Sequence, residues 1–312
     1  MNVLFVDTVH PALWQDLTKS GFNCIDGTYW DRDEVLSALN DVQGIVIRSK
    51  FKIDEEFLEK AKDLRFIARS GSGLENINLE LTDEKGVKVF NSPEGNCDAV
   101  AEHAMAMLLS LFTNLVRSDR EVREGHWYRE ENRGIELGGK TVGIIGYGHT
   151  GQAFAKRLSS FGCEVLAYDK YKSGFGSDHV KEVSYEDILE KSDIISFHVP
   201  LTEDTRYLAD RRFFSQSRKA VYLINTSRGE IVNTDHLVEA LKGGLIMGAC
   251  LDVLEYEKSS FENIDHKKLP DSFKHLTESD QVVLSPHIAG WTFESYERLS
   301  TVLATKILKE FK

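Results

Sequence analysis

Short apolar runs alternate with amphipathic segments over the first ninety residues. Residues 3–6, 44–47, 65–68 and 87–90 are nearly continuous in apolar side chains and predict buried strands. Residues 11–20, 31–39 and 54–60 carry apolar positions at helical spacing and predict helices between them. The cluster Asn91-Ser92-Pro93-Glu94-Gly95-Asn96 reads as a turn. From residue 98 to about 116 a helical run follows. Its middle, residues 104–112, is apolar nearly all round, the pattern of a buried helix joining two domains. Residues 117–139 are polar, with Trp127 and Tyr128 among the charges. Strand patterns resume at 142–145, 165–168, 194–197, 221–224, 246–251 and 282–284, and a last helix spans 292–311. Strands alternating with helices predict an α/β fold of parallel sheets covered by helices, and 312 residues are enough for two domains. No internal repeat or low-complexity tract interrupts the pattern.

Composition narrows the functional classes. Hydrophobic residues make up 41% and charged residues 28%, which excludes general disorder. No apolar run approaches the roughly 18 residues that span a bilayer. The chain enters its first strand without a basic leader, so no signal peptide is expected. Lys and Arg number 38 against 50 Asp and Glu, a net charge of −12 that argues against nucleic acid as a partner. Cys24, Cys97, Cys163 and Cys250 are far apart, with no C-x-x-C pair and no His at ligand spacing. Neither a metal site nor a redox pair is expected, and four thiols fit a reducing cytoplasm.

Residues 140–151, KTVGIIGYGHTG, read as strand, tight turn and helix start. The spacing G-x-G-x-x-G falls on Gly146, Gly148 and Gly151. The first glycine permits the turn, the second lets backbone approach a pyrophosphate, and the third lets helix pack on strand. Exposed N–H groups at the helix start would hold phosphates. Asp169 ends the next strand, 18 residues after Gly151, where a carboxylate accepts from ribose hydroxyls and repels a 2′-phosphate. Two rival motifs fail on context. Gly134 to Thr141 spells the P-loop pattern, but a polar loop precedes it and a strand follows. Tyr168 and Lys172 form a Y-x-x-x-K pair at a strand end where that catalytic pair does not belong.

Three further strand ends carry polar chemistry: Asn225-Thr226-Ser227-Arg228-Gly229-Glu230, Asp252-Val253-Leu254-Glu255-Tyr256-Glu257, and Ser285-Pro286-His287-Ile288-Ala289-Gly290-Trp291. Ligands of open α/β sheets bind beyond the carboxyl ends of strands. An Arg to hold a carboxylate and a His paired with an acid are the equipment for reducing a 2-oxo acid.

With those segments, and with Arg69-Ser70-Gly71-Ser72-Gly73-Leu74-Glu75-Asn76-Ile77, Val100-Ala101-Glu102-His103 and residues 192–202, the chain resembles the D-isomer-specific 2-hydroxyacid dehydrogenase family, phosphoglycerate dehydrogenase and hydroxypyruvate reductase among its members, over nearly its whole length. The resemblance implies two Rossmann-like doubly wound parallel-sheet domains, the nucleotide-binding one inserted into the substrate-binding one. The substrate-binding domain would be 1–98 plus 288–312, and the NAD-binding domain 99–287. It implies a homodimer, with residues 117–139 in the dimer arm. His287 would be proton donor and acceptor at the substrate oxygen, Glu257 its partner, keeping imidazolium available, and Arg228 the group that binds carboxylate and polarises carbonyl. The amides of Ser72 and Gly73 would hold the substrate carboxylate, and Arg48 and Lys50 would lie beside the substrate, suiting an anion or phosphate. His103 would reach the substrate from its helix. For the cofactor NAD, main-chain groups of His149 and Thr150 would meet the pyrophosphate, Asp169 the adenosine ribose, and His198, Val199 and Pro200 the adenine side. Thr226 would lie near the cofactor, and Asp252 would touch the nicotinamide carboxamide, with Gly290 close by.

The chain departs from the family pattern in three places. Lys258 follows Glu257 where Pro is usual, which leaves Glu255 as an alternative acid. Glu257 is favoured because it lies five residues after Asp252. Residues 261–280 read as a surface insertion, and Glu75 stands where Asp is usual. The expected activity is NAD-dependent hydride transfer to or from a small 2-hydroxy or 2-oxo acid, with 3-phosphoglycerate and hydroxypyruvate or glyoxylate as candidates. A C-terminal regulatory domain is not expected, because the chain ends one helix after His287. The competing reading is a non-catalytic, NAD-sensing interaction protein of the corepressor type. Formate dehydrogenases carry an amide where this chain has Glu257.

Overall fold

The computed structural model describes residues 1–257 and 269–312, and every statement below concerns those residues. They fall into two compact units, residues 1–97 with 291–312, and residues 98–257 with 269–290. The chain thus leaves the first unit at 97/98 and re-enters it at 290/291, against expected crossings at 98/99 and 287/288.

The first unit runs β1 (Asn2–Phe5), α1 (Pro11–Lys19), β2 (Asn23–Asp26), α2 (Arg32–Ala38), β3 (Gly44–Ile47), α3 (Glu55–Lys60), β4 (Phe66–Arg69), α4 (Leu79–Glu84) and β5 (Lys88–Phe90). Its sheet has the order β2-β1-β3-β4-β5 with every pairing parallel. β3 is buried along its whole length because helices cover both faces, which is why it reads as an unbroken apolar run. Asp31, Asp54 and Asn78 cap α2, α3 and α4, each accepting an orphan backbone N–H of the first turn. The short edge strand β2 and the six-residue α4 escaped the sequence reading: β2 is polar and half-exposed, and α4 is too short to show a period.

α5 (Pro93–Phe112) begins five residues before the expected start. Pro93 sits in its first turn, where a missing N–H costs nothing, so the predicted turn at 91–96 is in part helix. The helix also ends early. Asn114 adopts a left-handed φ of 53°, and α6 (Leu115–Arg123) leaves at 62° to α5. No single helix here is long and apolar enough to cross a membrane.

The second unit continues with β6 (Thr141–Ile145), α7 (His149–Leu158), β7 (Glu164–Tyr168), β8 (Lys181–Glu182), α8 (Tyr185–Lys191), β9 (Ile194–Phe197), α9 (Arg211–Gln216), β10 (Val221–Asn225), α10 (Thr234–Lys242), β11 (Ile246–Leu251), α11 (Asp271–Glu278) and β12 (Val282–Leu284). The sheet order is β12-β11-β10-β9-β6-β7-β8, again all parallel, and it reverses direction between β6 and β9. That is the doubly wound Rossmann arrangement, with its ligand crevice at the carboxyl ends of β6 and β9. Residues 261–280 are not simply a surface insertion: α11 covers the sheet, and its Leu276 is buried in the core with Leu237 and Ile246. The rest of that stretch, up to 268, lies outside the described residues. α12 (Phe293–Phe311) returns to the first unit, where Leu303, Ala304 and Ile307 join Leu13 and Leu17 in one core. Gly95 lets α5 start against it, since a Cβ there would stand 2.7 Å from the Leu299 nitrogen.

Candidate active site

The glycine loop leaves β6 at the switch point. Gly146 has φ +94°, and a Cβ on it would lie 2.5 Å from the His198 carbonyl oxygen. Gly151 sits where a Cβ would lie 2.1 Å from the Gly146 oxygen, so any side chain would push α7 off the loop. Around Gly148 there is open space, and no side chain caps α7. The amides of His149 and Thr150 therefore begin a ten-residue helix at its positive end. Asp169, just past β7, fastens the loop: one carboxylate oxygen accepts from Tyr147 N at 2.8 Å, and the other accepts from Tyr171 N and Lys172 N at 2.9 and 3.1 Å. Its expected role toward a ribose is thus joined to a role in shaping the turn.

His198 and Thr226 line the neighbouring strand ends. His198 Nε2 shares a hydrogen with Ser196 Oγ at 2.8 Å, its Nδ1 is buried without a partner, and burial pushes its imidazole down to about 3. Thr226 Oγ1 is likewise buried and unpartnered. Val199 packs on the core beside Gly146, and the Pro200 carbonyl accepts from Thr205. A small-residue cradle, uncapped helix amides and two orphan polar atoms at one switch point fit a dinucleotide.

The acid–base pair forms as expected. His287 Nδ1 lies 2.6 Å from Glu257 Oε2, and the other oxygen of Glu257 accepts from Leu254 N at 2.6 Å. Glu255 faces elsewhere, accepting from the Tyr207 hydroxyl and Thr234 N at 2.9 and 2.8 Å. Of the two acids, Glu257 is the one paired with the His287 imidazole. The imidazole is carried on a strained backbone, φ +54° in a residue other than glycine. Asp252 holds that strain. Its backbone oxygen accepts from His287 N at 2.7 Å; Oδ1 accepts from Ser285 Oγ at 2.6 Å and Ile288 N at 2.9 Å; Oδ2 accepts from Ala289 N at 2.8 Å. The side chain is 1% exposed. This carboxylate holds the loop that bears His287 and ends at Gly290.

Arg228 follows β10 in a loop shaped by Asn225, whose side chain donates to the Arg228 carbonyl at 2.9 Å and accepts from Ser227 N at 3.1 Å. Gly229 abuts the Leu254 backbone so closely that a Cβ would stand 2.0 Å from its carbonyl carbon. The Arg228 loop therefore packs on the turn that presents Glu257.

The Lys50 ammonium donates to the carbonyls of Thr28 and Trp30 at 2.6 and 2.7 Å and pins that loop. His103 Nε2 lies 2.8 Å from Ser285 Oγ. Local sequence gives residue type but not side-chain direction, so neither partner was legible. In the first unit, Ser72 Oγ donates to Asn96 Oδ1 at 2.7 Å, while the amides of Ser72 and Gly73 find no acceptor among the described residues. Arg48 stacks over the Trp291 ring, 4.4 Å from its centroid. Asp7 plugs this sheet's own switch point: Oδ2 accepts from Arg48 N, Ser49 N and Lys50 N at 2.7 to 3.0 Å. No metal-ligating cluster occurs among the described residues.

Residues 105–289 match the profile of the family described as D-isomer specific 2-hydroxyacid dehydrogenase, NAD binding domain, and the chain belongs to that family. Hydroxypyruvate reductase of Thermotoga maritima is 36% identical over 286 residues, covering 92% of this chain and 90% of the relative. D-3-phosphoglycerate dehydrogenase of Archaeoglobus fulgidus is 35% identical over 314 residues, but the chain spans only 58% of that protein's length. Among solved structures, D-lactate dehydrogenase from Aquifex aeolicus, complexed with NAD and lactic acid, superposes with a TM-score of 0.83 at 30% identity, covering 100% of this chain and 95% of the other.

Proposed function

We propose that the chain is an NAD-dependent D-2-hydroxyacid dehydrogenase, and the observation that carries this reading is the 2.6 Å His287–Glu257 pair on its strained, Asp252-clamped loop. The α7 amides, with Thr226 and His198, would hold NAD, which would supply hydride transfer at a secondary alcohol carbon. With Nδ1 engaged by Glu257, His287 presents Nε2 as the acid that protonates a 2-oxo group during reduction. In oxidation the same nitrogen accepts the hydroxyl proton. Glu257 balances the imidazolium charge. Arg228 binds a carboxylate in two-pronged fashion and polarises the carbonyl. The free amides of Ser72 and Gly73 are anion donors of the first unit.

Lys170 is paired with Asp204 at 2.6 Å and Lys172 is turned onto the Tyr147 carbonyl, so the ribose end of the site offers a carboxylate rather than free cations; this supports NAD over NADP. With Lys50 committed elsewhere, Arg48 is the cation left at the end of β3, which suits a small anionic 2-oxo acid such as hydroxypyruvate or glyoxylate, with 3-phosphoglycerate as the phosphorylated candidate.

The decisive measurement is NADH oxidation at 340 nm with a panel of 2-oxo acids, and NAD reduction with 3-phosphoglycerate. Turnover is expected, and His287→Gln should lower kcat by roughly 10²- to 10⁴-fold. A protein that binds NADH yet turns over nothing in the panel sinks the reading in favour of a nucleotide sensor. A cytoplasmic homodimer belongs to the same proposal. Leu115, Val116 and Val122 are exposed on α6, and Trp127 beyond it is 81% exposed, an apolar surface suited to a second copy. Light scattering should give twice the chain mass, and Trp127→Glu should shift it toward the monomer.

A further inference from the structure

His103 stands on α5, and Met107, one turn further along the same helix, places its sulfur 3.6 Å from Ser285 Oγ. Both side chains reach Ser285 from this helix, His103 through a ring nitrogen at 2.8 Å and Met107 through its sulfur. Ser285 has one hydroxyl proton and three neighbours that could take it, Asp252 Oδ1, His103 Nε2 and the weakly accepting Met107 sulfur. The carboxylate oxygen of Asp252 at 2.6 Å is the strongest acceptor, so the hydroxyl donates there and accepts the Nε2 hydrogen of His103 at 2.8 Å. The same Asp252 oxygen accepts from Ile288 N, its other oxygen from Ala289 N, and its carbonyl from His287 N. Each link fixes the next: imidazole, hydroxyl, carboxylate, and the amides of Ile288 and Ala289 that follow the strained His287.

We propose that His103 is a positioning residue for His287, acting through Ser285 and Asp252; this rests on the dehydrogenase reading for its kinetic consequence but not for its geometry. His103→Leu deletes the donor. His103→Gln restores an N–H where Nε2 stood. His103→Leu should lower kcat roughly ten- to a hundredfold, the cost of a small misplacement of a reacting group. KM for NADH should stay within about twofold, and His103→Gln should recover most of the rate. In a His287→Gln background, His103→Leu should have no further effect on kcat, because its target is gone.

A second readout needs no turnover. The Nδ1 proton between His287 and Glu257 should give a downfield proton resonance, identified by its loss in His287→Gln. It should vanish or move upfield in His103→Leu and persist in His103→Gln. Equal losses of kcat in both backgrounds, or an unmoved resonance in His103→Leu, overturn the proposal. If the wild-type protein turns over no 2-oxo acid, the dehydrogenase reading fails while the resonance still decides this one.

Discussion

Replacing Asp252 with Asn tests the clamp by changing one atom. The Asp252 carboxylate accepts three hydrogen bonds at 2.6 to 2.9 Å while 1% exposed. An amide keeps one acceptor oxygen. Its better orientation leaves that oxygen with Ser285 and Ile288 N and turns NH₂ toward Ala289 N, donor against donor. One buried N–H left unsatisfied costs about 1–3 kcal/mol, and two bonds lose their charge assistance at roughly 1 kcal/mol each. Part of this is returned because a charge no longer has to be buried. The expected net loss is about 2–4 kcal/mol, a large share of the roughly 5–15 kcal/mol that holds a typical protein together. Urea unfolding monitored by circular dichroism reads the stability. Hydrogen exchange at Ile288 and Ala289 locates the loss, and it should be fastest at Ala289. kcat should fall with it as His287 relaxes from its left-handed backbone. An Asp252→Asn protein within about 0.5 kcal/mol of wild type, with unchanged exchange at 288 and 289, would refute the reasoning.

His198 should make the protein acid-sensitive earlier than its carboxylates do. Unfolded, its imidazole takes a proton near 6.5; buried in the fold it does so only near 3. Between those values the unfolded chain holds the extra proton, so stability is complete above pH 6.5 and drains as pH falls toward 3, at up to about 1.4 kcal/mol per unit. Urea midpoints at pH 7.5 and 5 should show this loss in the wild type and a flatter dependence in His198→Gln; parallel slopes count against it. Gly151→Ala places a methyl 2.1 Å from the Gly146 oxygen. It should weaken NADH binding by an order of magnitude or more, read by fluorescence titration, and unchanged affinity would mean the loop yields freely.

The strands were legible because a strand buried on both faces reads as a largely apolar run: 44–47 and 194–197 fall on the fully buried β3 and β9. Elements without that signal were lost, as with β2, or misplaced, as with α5, whose start hides behind a proline and whose end depends on one left-handed asparagine. At the site, residue types and order pointed to the His287–Glu257 pair and the glycine loop. What they could not give was who holds whom. Glu255 and Glu257 differ by a choice of partner, Lys50 is drawn to two carbonyls 20 and 22 residues away, and His103 meets a serine 182 residues distant. Such pairings exist only once the sheets have formed.

The Asp7 carboxylate on the amides of Arg48, Ser49 and Lys50 has a consequence for occupancy. Two sheets of kindred design could each in principle welcome a phosphorylated guest. In the first, the chain lodges its own anion in the cradle, and the seat is taken from the moment the sheet assembles. Saturation should therefore be reached at a single nucleotide per polypeptide, leaving the N-terminal sheet free to specialise in smaller acids.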